Sequence, residues 1–373
     1  MKSITQLFRL LVGLLFIASG LIKANDPLGL AYKMDEYFAV WNWDWTKPYT
    51  LYMSLAMNTM EIVAGVALLI GWAPRFFSRL VLLLIVFFTF LTGYAVLSGK
   101  IKTCGCFGDC IPLQAWQSFA KDLVLLFMTL VLVINYKYIN SLLPIRAALF
   151  LVLFSAGFVF WGQMNVLKHL PYVDCLPYKA GNNLLEKMQP PTGSIPDSVA
   201  IFYKYKYNGK EVTFDAMHFP DDFSEDKYEY ISREEKIVRK GNAEPAIKDF
   251  ALYGLNGEDT TKAVLQTQGR YLLFFAKDFS GQTPEWLELW SKIYLKANEK
   301  KVPVILLSNQ PVAARRFFNE TNHFNVPVLS CDGTVMKTML RSKTGVVAMD
   351  GATVAAKWSE ADMNDVIRWL NQP

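Results

Sequence analysis

Three of the chain's five cysteines lie within seven residues, Cys104, Cys106 and Cys110, in the stretch KTCGCFGDC. Thiols at this spacing admit three chemistries: holding a metal, stapling a loop, or exchanging disulfides and so moving electrons in pairs. A metal needs convergent ligands. Asp109 is a fourth candidate, but Cys-x-Cys-x3-Cys is no recognised zinc spacing, and His169, His218 and His323 are remote in sequence. No metal is expected. A Cys106–Cys110 or Cys104–Cys110 staple would stiffen the loop, yet closing so short a loop removes little unfolded-state entropy. Exchange is the preferred reading. A Cys104–Cys106 disulfide would close a very small ring around Gly105, and strained disulfides exchange readily. Gly105 and Gly108 supply backbone freedom, and Cys110 is placed to resolve a mixed disulfide. Cys175, in YVDCLPY, is either a shuttle or partner for the trio or an isolated thiol. Cys331, in VPVLSCDGT, reads as a buried structural thiol near a strand end.

The second chemical candidate is Glu61, in MNTMEIVAGVALLIG. An ionisable group inside an apolar run is costly to bury and marks a functional site by default, with a structural ion pair as the alternative. Its candidate partners are Arg9, Lys23 and polar side chains such as Asn58.

The elements that position these residues follow from composition. The 373 residues are 52% hydrophobic and 14% aromatic, with mean hydropathy +0.20, too apolar for an ordinary soluble protein. The net charge of +5 is scattered and no nucleic-acid module is visible, so no nucleic-acid partner is expected. Residues 80–99 and 147–166 carry no charge, and each run of about 20 residues suffices to cross a bilayer. Residues 7–22, 53–72 and 116–136 complete five expected spans. Arg9 and Lys23 flank the first and are positioned to snorkel. Because further spans follow, that helix reads as retained rather than as a cleaved signal peptide. Gly13, Gly20, Gly65 and Gly93 are expected to allow close helix contact.

With the N-terminus cytoplasmic, Lys and Arg in the short segments tie at six on each side, so the positive-inside rule does not choose. Asp26, Asp35, Glu36, Asp44, Asp109 and Asp122 all fall on the other side, which tilts the choice. Trp41, Trp43 and Trp45 on that side suit a membrane–water interface or packing within their loop. Five crossings then place the C-terminal part and the cysteine loop together outside the cytoplasm, where disulfides persist.

Residues 167–195 read as linker and turns. Residues 196–244 read as a small β-rich segment, with a hairpin about Asn208-Gly209. Residues 245–373 alternate strands and helices, which implies an α/β sandwich. Thr283 and Pro284 are expected to open the amphipathic helix TPEWLELWSKIYLKANEKK.

The order and phrases of residues 245–373 resemble a thioredoxin-like domain of the peroxiredoxin or thiol–disulfide reductase type. The resemblance implies a Cys-x-x-Cys where FSGQTPEW stands, and there Ser280 and Thr283 occupy the cysteine positions. It implies a cis-proline where RSKTGVV stands, and there Thr344 takes its place. A hydroxyl cannot supply the thiolate that exchange requires, so this domain reads as a docking or sensing module. The first helix, RLLVGLLFIASGLIKANDPLG, resembles the start of DoxX-family membrane proteins, and CGCFG resembles their MauE branch, which is linked to disulfide formation in exported proteins. That likeness covers about residues 5–136.

The expectation is an α-helical polytopic bundle of four DoxX-like helices (residues 1–140) plus a fifth (141–166), followed by the β-rich segment and a thioredoxin-like domain lacking its thiol pair. The implied setting is a bacterial-type inner membrane with a periplasmic C-terminal domain. The implied function is disulfide exchange between the cysteine loop and an envelope protein partner. No cofactor motif is evident, and a quinone carrier enters by analogy alone. A non-enzymatic membrane subunit or assembly factor is the alternative.

Overall fold

The computed structural model describes every residue except 102–104, 216–217, 221–222, 225, 240, 278–283 and 373. Cys104, Ser280 and Thr283 therefore lie outside the described residues. The N-terminal part is helical: α1 (Lys2–Asn25), α2 (Pro27–Val40), α3 (Thr50–Ile70), α4 (Pro74–Ser98), α5 (Ala115–Ile134) and α6 (Ile145–Lys168). All but α2 are long and apolar enough to cross a membrane, and each overlaps an expected span. The chain is a multi-pass membrane protein.

Local chemistry sets the helix ends. Pro27 and Pro74 open α2 and α4, and Asp26 caps α2 by accepting from the Gly29 amide. Gly71 and Gly99 close α3 and α4 in the left-handed region at φ 71° and 62°. The α1–α3 contact depends on three other glycines, Gly13, Gly20 and Gly65. A Cβ on Gly65 would sit 2.8 Å from the Gly13 carbonyl oxygen, and one on Gly13 would sit 2.6 Å from Leu69. Because backbone rather than a yielding side chain blocks the first, Gly65→Val is expected to separate α1 from α3 and destabilise the bundle by about 2–3 kcal/mol, the scale of overpacking. The thermal midpoint of detergent-purified protein checks this, and an unchanged midpoint refutes it. Outward-facing Leu10, Leu14, Leu83, Phe127, Phe150, Phe154 and Phe158 are exposed, as a lipid-facing belt requires.

Two expectations of snorkelling are corrected. Arg9 is buried and donates to the carbonyls of Leu68 (2.9 Å), Leu69 and Asn140 (3.2 Å), so it covers the C-terminal carbonyls of α3. Lys23 turns inward. The tryptophans divide between their two readings. Trp41 packs with Tyr37, Trp43 and Tyr94, whereas Trp43 and Trp45 are exposed. The helix α2, in the segment before them, has no counterpart among the expected elements.

Beyond α6, the stretch read as linker contributes to a core. The short helix α7 (Leu184–Lys187) buries Leu184, while Gly181 and Leu184 amides donate to the Val354 and Ala352 carbonyls, both at 2.8 Å. A three-stranded sheet follows, ordered β2-β1-β3 from β1 (Ser198–Tyr207), β2 (Lys210–Asp215) and β3 (Tyr228–Arg239). Asn208 and Gly209 both have positive φ, as a tight hairpin turn requires.

The chain then builds a six-stranded sheet from β4 (Leu252–Tyr253), β5 (Arg270–Phe275), β6 (Val304–Ser308), β7 (Val328–Cys331), β8 (Gly345–Asp350) and β9 (Thr353–Ser359), ordered β4-β7-β6-β5-β8-β9. Strands β5, β6 and β7 are parallel, and β8–β9 is an antiparallel hairpin. Tyr271, Leu273 and Phe275 of β5 point into one core, and Leu272 and Phe274 into the other. The first core is closed by α8 (Thr261–Leu265) and, after α9 (Leu287–Glu299) and α10 (Pro311–Arg315), by α11 (Gly333–Met339). The second is closed by α9, α10 and α12 (Asn364–Leu370). Helix α9 starts at Leu287 with Trp286 as its N-cap, so Pro284 stands before the helix, in a turn closed by the Leu287 amide on the Pro284 carbonyl; the expected cap, Thr283, lies outside the described residues.

Candidate functional site

The cysteine loop connects α4 to α5 and rests on the end of α1. The Cys106 carbonyl accepts a hydrogen bond from Ser19 at 2.9 Å. Ser19 Oγ also lies 3.3 Å from Glu61 Oε2, and Lys23 Nζ donates to Glu61 Oε1. Lys23 sits 4.8 Å from the Phe88 ring centroid. Lys23 and Glu61 are both at 2% side-chain exposure, so each neutralises a charge the other would otherwise bury alone. Of the candidate partners for Glu61, the structure selects Lys23. Arg9 is engaged at the α3 terminus, and Asn58 donates to Gln163 Oε1 at 3.0 Å.

Sequence reasoning missed Ser19 and Asp122 as members of the site. Ser19 is four residues before Lys23, hence on the same helix face, and that spacing was the available signal. Asp122 is fully buried in α5, where it accepts from Thr92 at 3.0 Å and pairs with Lys121 at 2.6 Å. Ser19, Lys23, Glu61, Lys121 and Asp122 border one cavity of about 20 Å³, enough for a single water. A second cavity is apolar and aromatic, walled by Leu30, Met34, Tyr37, Trp41 and Phe88 among others. Cys106 and Phe88 border both cavities.

The other end of the loop is tied down. Cys110 forms a disulfide with Cys175, 65 residues away, with a Cα–Cα distance of 4.8 Å. The staples considered within the trio are thereby corrected for Cys110, and of the readings of Cys175 the structure takes that of a partner for the trio rather than an isolated thiol. Asn25 holds the same segment through two hydrogen bonds to the Val173 backbone, at 2.8 and 3.0 Å. Asp109 faces Arg341 of the α/β unit at 2.7 Å. Among the described residues no group of three His, Cys, Asp or Glu is arranged to hold a metal. Cys331 ends β7 as a buried thiol without a disulfide, pushed up to about 12 by burial and by the neighbouring Asp332. Thr344 stands buried immediately before β8.

These features define a polytopic membrane protein whose cysteine loop covers a buried acid–lysine pair. Residues 1–135, which take in α1 to α5 and the loop, match the family described as methylamine utilisation protein MauE. Residues 199–240, the three-stranded sheet, match a domain of unknown function, DUF8463. No curated protein and no solved structure matches the chain.

Proposed function

We propose that this protein is an inner-membrane component of a thiol–disulfide system, exchanging disulfides between its cysteine loop and an envelope partner on the extracytoplasmic face. The observation that carries the reading is the contact of Cys106 with Ser19 above the Glu61–Lys23 pair. Disulfide exchange moves protons with electrons. Two partner thiols release two electrons and two protons, and a loop disulfide takes them up to become two thiols. Cys104 and Cys106 are the exchanging pair in this reading, and Glu61 with Lys23 is the adjacent group able to hold a proton. Cys110, bonded to Cys175, anchors the loop.

The apolar cavity beside Cys106 suits a quinone-class acceptor, whose ring Tyr37, Trp41 and Phe88 would face. When bound, such a group would supply the sink for two electrons. The α/β unit is read as a thioredoxin-like domain without its thiol pair. Its parallel β5–β6–β7 core, its β8–β9 hairpin and Thr344 before β8 support that reading. The domain then docks rather than catalyses.

Redox titration of the full chain in nanodiscs, followed by alkylation and peptide mass mapping, tests the proposal. The expected result is a Cys104–Cys106 couple that opens in mild reductant, at roughly −200 mV or higher, the range of exchangeable disulfides. A Cys104/Cys106 double Ser variant is expected to lose disulfide transfer to envelope proteins. A loop that resists mild reductant, with that variant unchanged in envelope thiol state, favours the second reading: a non-enzymatic assembly factor whose α/β domain binds an envelope protein. The long-range Cys110–Cys175 staple is the observation on that side.

A further inference from the structure

Arg341 follows α11 in the α/β unit, with its side chain 6% exposed. Its Nε donates to Asp26 at 2.9 Å and its Nη2 to Asp109 at 2.7 Å. Nη1 donates to the Lys337 carbonyl at 3.2 Å, and the guanidinium lies 5.3 Å from the Tyr32 ring centroid. The two carboxylates belong to separate parts of the membrane half. Asp26 caps α2, whereas Asp109 is the residue before Cys110 in the cysteine loop.

A planar guanidinium with several donors is the side chain suited to hold two carboxylates at once; an ammonium is a point charge. Without it, Asp26 and Asp109 would face each other as like charges. On the far side of the disulfide, Lys357 of β9 pairs with Asp174, the neighbour of Cys175. The α/β unit therefore grips both chain segments that the Cys110–Cys175 bond joins.

We propose that Arg341 is a positioning residue for the cysteine loop, through which the α/β domain holds Asp109, and with it Cys110, in register with α2 and the end of α1. Its bearing on exchange rests on the thiol–disulfide reading above. The positioning itself does not, because it is read on the Cys110–Cys175 bond rather than on Cys104 and Cys106.

The test uses full-length protein in nanodiscs and follows reduction of Cys110–Cys175 by dithiothreitol, with alkylation and mass mapping. Arg341→Gln is expected to speed reduction about tenfold, the scale of one charged hydrogen bond. Asp109→Asn, at a side chain 41% exposed and so tolerant of change, is expected to do the same. The double variant is expected to be no faster than either single one, and Arg341→Lys to fall between wild type and Arg341→Gln. Additive effects, or an Asp109→Asn rate equal to wild type, would overturn the proposal, and the Asp109 arm stands even if Arg341→Gln fails to fold. If these rates behave as expected while the Cys104/Cys106 variant keeps full envelope thiol chemistry, the redox reading fails and the positioning stands.

Discussion

Lys23→Met is expected to destabilise the membrane half by about 3–5 kcal/mol, the cost of leaving one member of a buried ion pair without its partner. The side chain it would leave without its ion-pair partner is Glu61, whose Oε2 lies 3.3 Å from the Ser19 hydroxyl. Replacing both members by apolar residues of similar volume, Lys23→Met with Glu61→Leu, is expected to recover most of that loss, since neither position then buries an unpaired charge. Thermal unfolding of the purified full chain, followed by tryptophan fluorescence, reads both values. If the single variant is as stable as wild type, the pair is not buried as described. The double variant also separates structure from chemistry. Should it fold and keep disulfide transfer, Glu61 and Lys23 are structural; should it fold and lose transfer, they serve the loop.

The second large effect concerns the staple. Cys175→Ser is expected to cost up to about 4 kcal/mol, the chain-entropy value for a closed loop of this length. The cross-link spans 65 residues, including all of α5 and α6. That span reverses the expectation that a staple in this loop would contribute little, which rested on a partner inside the trio. Cys110→Ser should cost the same, and the double replacement no more than either, because the two sulfurs act as one bond. Denaturant midpoints of the three variants check this. Additive losses would mean that each cysteine has a separate role.

Much of the architecture was legible because its causes are local. An apolar run of about 20 residues has few options other than spanning a bilayer, since its backbone must satisfy its own hydrogen bonds. Asn208-Gly209 marks a hairpin because both residues tolerate positive φ. Strand β5 shows in RYLLFF because a central strand is apolar on both faces. Part of the site was visible for the same reason: Glu61 is conspicuous as the acid within its span, and the crowding of Cys104, Cys106 and Cys110 is a property of the sequence alone.

The sequence offered Lys23 among three candidates for Glu61 and Cys175 among the alternatives for the cysteine trio, but it could not choose between them, because packing between distant segments makes the choice. Lys23 at a helix end reads as a snorkelling lysine, and the close α1–α3 contact through Gly13, Gly20 and Gly65 brings it to Glu61. Arg9 has the same flanking appearance, yet the end of α3 lies beside it and takes up its donors. Residue type and spacing in the sequence determined five spans, a β-rich segment, an alternating α/β unit and a cysteine loop beside the membrane. Tertiary structure alone decided that Cys110 meets Cys175 and that Arg341 reaches Asp26 and Asp109 from 315 and 232 residues away. The physical reason is that burying a charge or closing a disulfide is favourable only once the complementary group arrives, and no local pattern records where it comes from.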